Sequence, residues 1–406
     1  MKILVLLPRF PYPLDKGDKL RAYHQIVELS KQHEIYLFAL SHRKVDKSDV
    51  DKFIGACNNP TTYQLINLST YRLRWWESAW GVFKSFLSGQ PLQLGYWSSR
   101  RARRAYTHWE RQTQPDVIYC QMVRTMPTVA GSPYRKVLDF QDALSLNTRR
   151  RMERSHGPMK WVLRYEYKAL QRTEQEALRL FDATTVISPA DRDAISQAIT
   201  LVPNGVDTDY FNQAIKQPSN RAALSTAETN QISEKPSTIV FTGNMSYAPN
   251  VDAARWLVKE IMPLVWSQIP SATVLLAGAD PKPAVKALAG PNVTVTGRLD
   301  DIRTAYASAK MFVAPMRIGS GMQNKLLEAM SMGLPCVTTS IAATPLGATT
   351  GEHLLVGDTA EEIADLIVKL TIEEIHHNIA DGGHRFVLEH YSWPAAVAPL
   401  NSIFNS

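Results

Sequence analysis

Cysteine is scarce in this chain. Cys57, Cys120 and Cys336 are the only three, far apart and without paired spacing, which excludes a disulfide framework and a cysteine zinc site and fits a reducing cytoplasm. No stretch approaches the ~18 or more consecutive apolar residues of a spanning helix, so a membrane-integral protein is excluded. Residues 1–7 are apolar, but the run stops at Pro8-Arg9 and is too short for a signal peptide; it reads as a first buried strand. No Gly-x-Gly-x-x-Gly pattern occurs, which argues against a nicotinamide enzyme. His376 and His377 are adjacent and point to different helix faces beside Glu373 and Glu374, so they read as solvated surface, and no metal site is assigned.

Charge is present in excess of one sign, but unevenly. The chain of 406 residues carries a formal charge of +7. Residues 1–205 hold 31 Lys and Arg against 19 Asp and Glu, while residues 206–406 hold 14 against 19. A basic first half suits a phosphate-bearing acceptor or an anionic lipid surface. Nucleic acid is the weaker partner, because no recognised binding module is visible and the second half is acidic.

The length predicts two ordinary domains. Short apolar runs at 2–7, 34–40, 62–67, 116–120, 136–139, 183–187 and 199–202 alternate with helical patterns such as 20–31 and 161–180. A second alternation has strands at 238–243, 272–278, 293–297, 311–315 and 335–338. Repeated alternation of this kind predicts α/β domains built on parallel sheets covered on both faces. Residues 206–237, rich in Ser, Thr, Asn and Gln, read as a linker or insertion. The expected domains are 1–205 joined by the tail 390–406, and 238–389, with Pro394 marking a kink where the tail returns.

The richest segment is Arg317-Ile-Gly-Ser-Gly-Met-Gln-Asn-Lys325-Leu-Leu-Glu328-Ala-Met-Ser-Met-Gly333-Leu-Pro335-Cys336. Gly319 and Gly321 let backbone approach a ligand, and a helix starting near Met322 would aim its N–H groups and positive dipole end at that loop. Lys325 adds a cation on the same helix face as Glu328, whose carboxylate suits neutral hydroxyls such as those of a ribose. Together these residues predict a grip on a nucleoside diphosphate. Without the glycine loop, Lys325 and Glu328 would read as a surface ion pair.

The run from Lys325 to Val337 resembles the donor-site motif of family-four retaining glycosyltransferases. Val202-Pro-Asn204-Gly205-Val-Asp207 is similar to that family's Pro-Asn-Gly-Val-Asp signature, and the opening run from Pro8 through Gly17 and Arg21 to His24 resembles the sugar transferases of PEP-CTERM/exosortase exopolysaccharide systems. The resemblance implies a GT-B fold, two Rossmann-like domains facing each other across a cleft, with acceptor on the first and donor on the second. It implies transfer of a hexose from a nucleotide-diphosphate sugar to a polysaccharide or lipid-linked acceptor, without cofactor or metal. Gly17, Gly243, Asn244, Arg298, Ser320, Gly321, Met322, Lys325 and Glu328 are the donor-binding residues so implied. Two departures stand out: Ser320 replaces the family's earlier glutamate, and Asn244 replaces the arginine that usually follows Gly243, leaving Arg317 as the substitute cation. A non-hydrolysing nucleotide-sugar epimerase of the same fold and a non-catalytic scaffold of a polysaccharide export complex remain the alternatives.

In the first half, Gly17 follows the first strand, the usual ligand edge of an α/β domain, though a plain turn glycine fits as well. Asp142 either caps the next helix or orients the acceptor hydroxyl and takes its proton, so the expected catalytic set is Lys325, Asp142 and Arg317. Trp76, Trp80, Phe83 and Leu87 recur at helical spacing, with Arg101 and Arg104 downstream. Such a stripe reads either as a buried packing face or as a peripheral contact with the inner face of the plasma membrane.

Overall fold

The computed structural model describes all residues except 42–44, 59–60, 68–73, 154, 213–236 and 319–321; of residues 67, 74–78 and 237–238 it describes the backbone alone. The described residues form two units, Met1–Asn204 with Ala396–Ser406, and Gly205–Ala395.

The first unit is built on β1 (Lys2–Leu7), β2 (Glu34–Ser41), β3 (Thr61–Asn67), β4 (Val117–Gln121), β5 (Arg135–Asp139), β6 (Ala183–Val186) and β7 (Thr200–Leu201). They lie in the order β3-β2-β1-β4-β5-β6-β7, all parallel. Ile3 through Leu6 are wholly inaccessible to solvent, as expected of a central strand covered by helices on both faces. The order reverses between β1 and β4, so loops leaving the carboxyl ends of those strands diverge and open a crevice.

The second unit repeats the scheme with β8 (Ser237–Thr242), β9 (Val274–Ala277), β10 (Val293–Gly297), β11 (Ala309–Ala314), β12 (Cys336–Thr338) and β13 (Leu355–Val356), in the order β10-β9-β8-β11-β12-β13. Its switch point lies between β8 and β11. A single apolar core runs through it from Ile239 to Val387.

Residues 206–211, assigned to the linker from the sequence, are packed into the second unit. Val206 N donates to Tyr391 O at 2.7 Å, and Phe211 lies against the core, its carbonyl accepting from Ser331 Oγ at 2.6 Å. Residues 213–236 lie outside the described residues. The tail belongs to the first unit from Ala396 on. Pro394 follows the break between the helices Glu373–His390 and Trp393–Asn405 and occupies the first turn of the second, where its missing N–H is not needed; the proline inside that helix is Pro399.

Candidate nucleotide-sugar site

Two loops leave the carboxyl edge of the second sheet at its switch point. One follows β8 through Gly243 into the helix Ala248–Trp256, and the other follows β11 into the helix Asn324–Ser331. The second helix begins two residues later than the expected start near Met322, and Gln323 precedes it with no side-chain cap. Gly333, at φ +62°, ends it by adopting a conformation that a β-carbon would strain.

Lys325 lies in the first turn and is turned inward. Its Nζ donates to Asn250 Oδ1 at 2.5 Å and stands 4.8 Å from the centre of the Phe241 ring. Loss of surrounding water lowers its pKa to about 8, a shift that the Glu328 carboxyl opposes. The backbone of Gly243 passes directly over this pair: a Cβ there would stand 2.6 Å from Asn250 Nδ2 and 3.3 Å from Lys325 Nζ. Gly278, after β9, crosses still closer, since its Cβ would fall 1.8 Å from the carbonyl oxygen of Gly243. Only glycines permit this crossing, because both positions also have φ near +150° (+151° and +146°).

One helical turn on, Glu328 Oε2 accepts from the buried Tyr306 hydroxyl at 2.7 Å, and that hydroxyl lies 2.8 Å from Thr242 Oγ1. Burial pushes the Glu328 carboxyl up, against the pull of Tyr306 and Lys325. Lys325 and Glu328 are therefore engaged with separate interior partners rather than joined as a surface pair. Asn250, Tyr306 and Thr242 were not anticipated. The weak signal for Asn250 is a polar residue on the inner face of the helix that Pro249 starts; Tyr306 reads in sequence as ordinary core.

The other expected donor residues divide. Asn244 Oδ1 accepts from Ser246 N and Oγ at 2.8 and 2.6 Å, and its carbonyl accepts from Asn250 Nδ2 at 2.9 Å, so it shapes the turn. Arg298 is exposed just after β10, and Met322 is half-buried before the helix. Arg317 is drawn to Asp252 in a two-pronged contact at 3.0 and 2.7 Å, with its guanidinium 4.8 Å from the Trp256 ring, and is thus a paired cation. Ser320 and Gly321 lie outside the described residues. Among the described residues, no group of three or more His, Cys, Asp or Glu could hold a metal ion.

Residues 236–372 match the family of glycosyl transferases group 1. Across all of its length the chain is similar to sucrose-phosphate synthase from Thermosynechococcus elongatus, at 15% identity over 98% of that chain with a TM-score of 0.64. It is equally similar to the Anabaena protein HepE, at 15% identity over 100% of both chains with a TM-score of 0.64. The fold is GT-B. Among curated proteins, an uncharacterised 44.6 kDa protein of the cps region of Klebsiella pneumoniae is 21% identical over 371 residues, covering 88% of this chain and 87% of that one.

In the first unit of this GT-B fold, a buried cation has a structural part that the sequence motif alone did not give it. Arg21, in the opening motif, is 1% exposed and donates through Nε to Asp139 Oδ2 at 2.7 Å. Its other nitrogens reach the carbonyls of Val202 and Pro203 and the Asn204 side chain at 2.8 to 3.0 Å. Tyr119 and Thr185 hydroxyls complete the shell of Asp139, each at 3.1 Å. The opening motif and the Pro203-Asn204-Gly205 motif are thus tied by one buried cation. Gly17 is the first residue of the helix Gly17–Ser30, with open space where a Cβ would be. The loop before it, with Lys16, Lys19 and Arg9, lines a cavity of about 250 Å³. Asp142 does not cap the helix Leu144–Glu153: Ala143 N donates to Asp191 at 3.0 Å and Ser145 N to Glu174 at 2.9 Å. Asp142 itself is exposed at the carboxyl edge, and its pKa is raised by partial loss of water and by the neighbouring Asp191 and Asp139 carboxylates.

Trp80 and Phe83 are exposed, so for these two the buried packing face is ruled out; the side chain of Trp76 lies outside those described. Arg101 and Arg104 are exposed on the first turns of the helix Arg100–Thr113. No helix of the described residues is long and apolar enough to cross a membrane.

Proposed function

We propose that the protein moves a hexose from a nucleoside diphosphate sugar, with retained anomeric configuration, to a growing polysaccharide or its lipid-linked precursor. The observation that carries this reading is the Lys325 ammonium held at the switch point of the second sheet, beneath bare glycine backbone and at the start of an uncapped helix. Cation, unobstructed backbone and helix dipole are what a departing diphosphate requires. In the reaction the bond between C1 of the sugar and the β-phosphate oxygen breaks, and the diphosphate leaves with the electron pair. The acceptor oxygen bonds to C1, and its proton passes to the departing diphosphate oxygen. Lys325 would stabilise the charge that builds on the leaving group, and Glu328 would hold the ribose. Asp142, with its raised pKa, is the group we assign to orienting the acceptor hydroxyl. Arg317 is the reserve cation if a donor draws it from Asp252.

The solved HepE structures hold UDP, UDP with glucose, or UDP-glucose, and the Klebsiella relative lies in a cps region; both support a nucleotide-sugar donor and a polysaccharide product. The three free thiols suit a reducing compartment. The test is release of nucleoside diphosphate from a panel of nucleotide sugars, with and without acceptor glycans. Acceptor-dependent release is expected; interconversion of the sugar without transfer would favour an epimerase, and no turnover would favour a scaffold. Because Lys325 and the helix dipole meet the diphosphate charge, turnover is expected to persist in EDTA. Loss in EDTA with recovery on adding Mg²⁺ or Mn²⁺ would assign that role to an ion.

A further inference from the structure

The first unit leaves unusually large apolar side chains in solvent. On the helix Arg74–Leu87, Trp80 is 65%, Phe83 50% and Leu87 69% exposed; at the start of the helix Pro158–Leu180, Met159 is 58% and Trp161 73% exposed. These belong to one surface. The Phe86 and Tyr165 rings lie 5.1 Å apart, and the Tyr165 hydroxyl reaches the carbonyl oxygens of Ser85, Phe86 and Gln90 at 3.0 to 3.1 Å. Trp161 is one turn before Tyr165 on the same side of its helix. The first helix cannot roll to hide its aromatics. Behind it Gly81 meets Gly95 backbone to backbone, so that a Cβ on either would stand 2.3 or 2.2 Å from the other's carbonyl oxygen.

The charge around this face is mostly positive: Glu77, Glu110 and Glu166 flank its segments, Glu166 accepts from Leu92 N and Gln93 Nε2 at 2.7 and 3.2 Å, and Glu110 and Glu176 line a cavity shared with Lys84 and Arg103. From residue 79 to 109 the chain has no Asp or Glu, but it has Lys84, Arg100, Arg101, Arg103 and Arg104; from 157 to 165 it again has none, with Lys160 and Arg164. Four of these arginines crowd the first turns of the helix Arg100–Thr113, the positive end, where their charge opposes the helix dipole. Lys84 and Arg103 line a common cavity, which puts the arginine-rich turn beside the aromatic helix.

We propose that this face docks on an anionic bilayer surface, with Trp80, Phe83 and Trp161 entering the headgroup level and the cations meeting lipid phosphates. A second copy of the chain is a poor occupant, because a twofold contact would set like charges against each other with no carboxylate in either segment. The inference stands independently of the sugar-transfer reading.

The test is co-sedimentation of the full chain with vesicles of phosphatidylcholine, with and without phosphatidylglycerol. Binding is expected only to the anionic vesicles, weakening as salt rises. A Phe83→Ser, Trp161→Ser variant should lose about tenfold or more in partitioning, with its melting temperature and nucleotide affinity unchanged. An Arg101→Gln, Arg104→Gln variant, which leaves the apolar packing alone, should bind less and with a shallower salt dependence. No binding to anionic vesicles would overturn the proposal. So would binding by both variants equal to that of the unmodified protein, or a lowered melting temperature without any change in binding. Light scattering that shows a dimer lost in the serine variant would assign the face to a second copy instead.

Discussion

Lys325 illustrates how burial sets both the strength and the pH range of a contact. Its ammonium has exchanged water for one amide oxygen and a ring face, which lowers its pKa to about 8. The folded-state value lies below the unfolded one, so burying the charged form opposes folding at neutral pH, and that opposition is relieved as pH rises from about 8 towards 10.5. Ligand binding runs the other way, since a diphosphate requires the charged form. Affinity for a nucleoside diphosphate, followed by calorimetry, is expected to be level below pH 8 and to fall by up to about tenfold per unit above it. Lys325→Met should weaken binding at pH 7 by roughly 1.5 to 3 kcal/mol and should abolish that pH dependence. Retention of full affinity in the variant would remove Lys325 from the site. Arg21 is the counterpart in the first unit. Arg21→Met leaves the buried Asp139 carboxylate uncompensated and should cost about 3 to 5 kcal/mol in urea unfolding. A change within error would mean that solvent reaches the pair.

Among elements, the loops after β8 and β9 depend on a backbone crossing that tolerates no side chain. Gly278→Ala would press a methyl group into the Gly243 carbonyl, and the loop holding Asn250 and Lys325 would have to move. The expected outcome is a loss of roughly 1 to 3 kcal/mol of stability together with weakened nucleotide binding, read by thermal shift with and without nucleoside diphosphate. Gly290→Ala makes a control, because a methyl group there meets nothing. Strands were legible as elements because each is an apolar run bounded by turn residues, as β1, β8 and β11 show. The helix Trp393–Asn405 was not, since a proline at 394 reads as a kink, whereas it sits harmlessly in the first turn and Pro399 is carried inside the helix. β13 has two residues, too few for any periodicity.

On the scale of the molecule, the last eleven residues belong to the first unit although the preceding 191 belong to the second. Leu400 and Phe404 are buried there, Phe404 lies 5.5 Å from the Tyr119 ring, and Arg135 donates to the Ile403 and Phe404 carbonyls at 2.7 and 3.0 Å. Deleting residues 396–406 is expected to destabilise the first unit by roughly 3 to 6 kcal/mol, the burial of two large apolar side chains. The nucleotide-bound stability of the second unit should change little. Urea titrations monitored with and without nucleoside diphosphate would separate the two, and an unchanged first transition would show that the tail is dispensable.

Periodicity and punctuation were enough to reveal two α/β units, the position of nearly every strand, and the helix that carries Lys325 and Glu328. Those features are local, because a buried parallel strand must be apolar along its length and a helix repeats its apolar face every three to four residues. Contacts between residues distant in sequence were not legible. Asn250 meets Lys325 across 75 residues, and Arg21 meets Asp139 across 118. No sequence period encodes either pairing; each exists because the carboxyl ends of the strands of one sheet lie along the same edge. The aromatic helix makes the same distinction in reverse. Trp80 and Phe83 have the spacing of a core face, and only the close contact of Gly81 with Gly95 on the other side of the helix decided that they face outward.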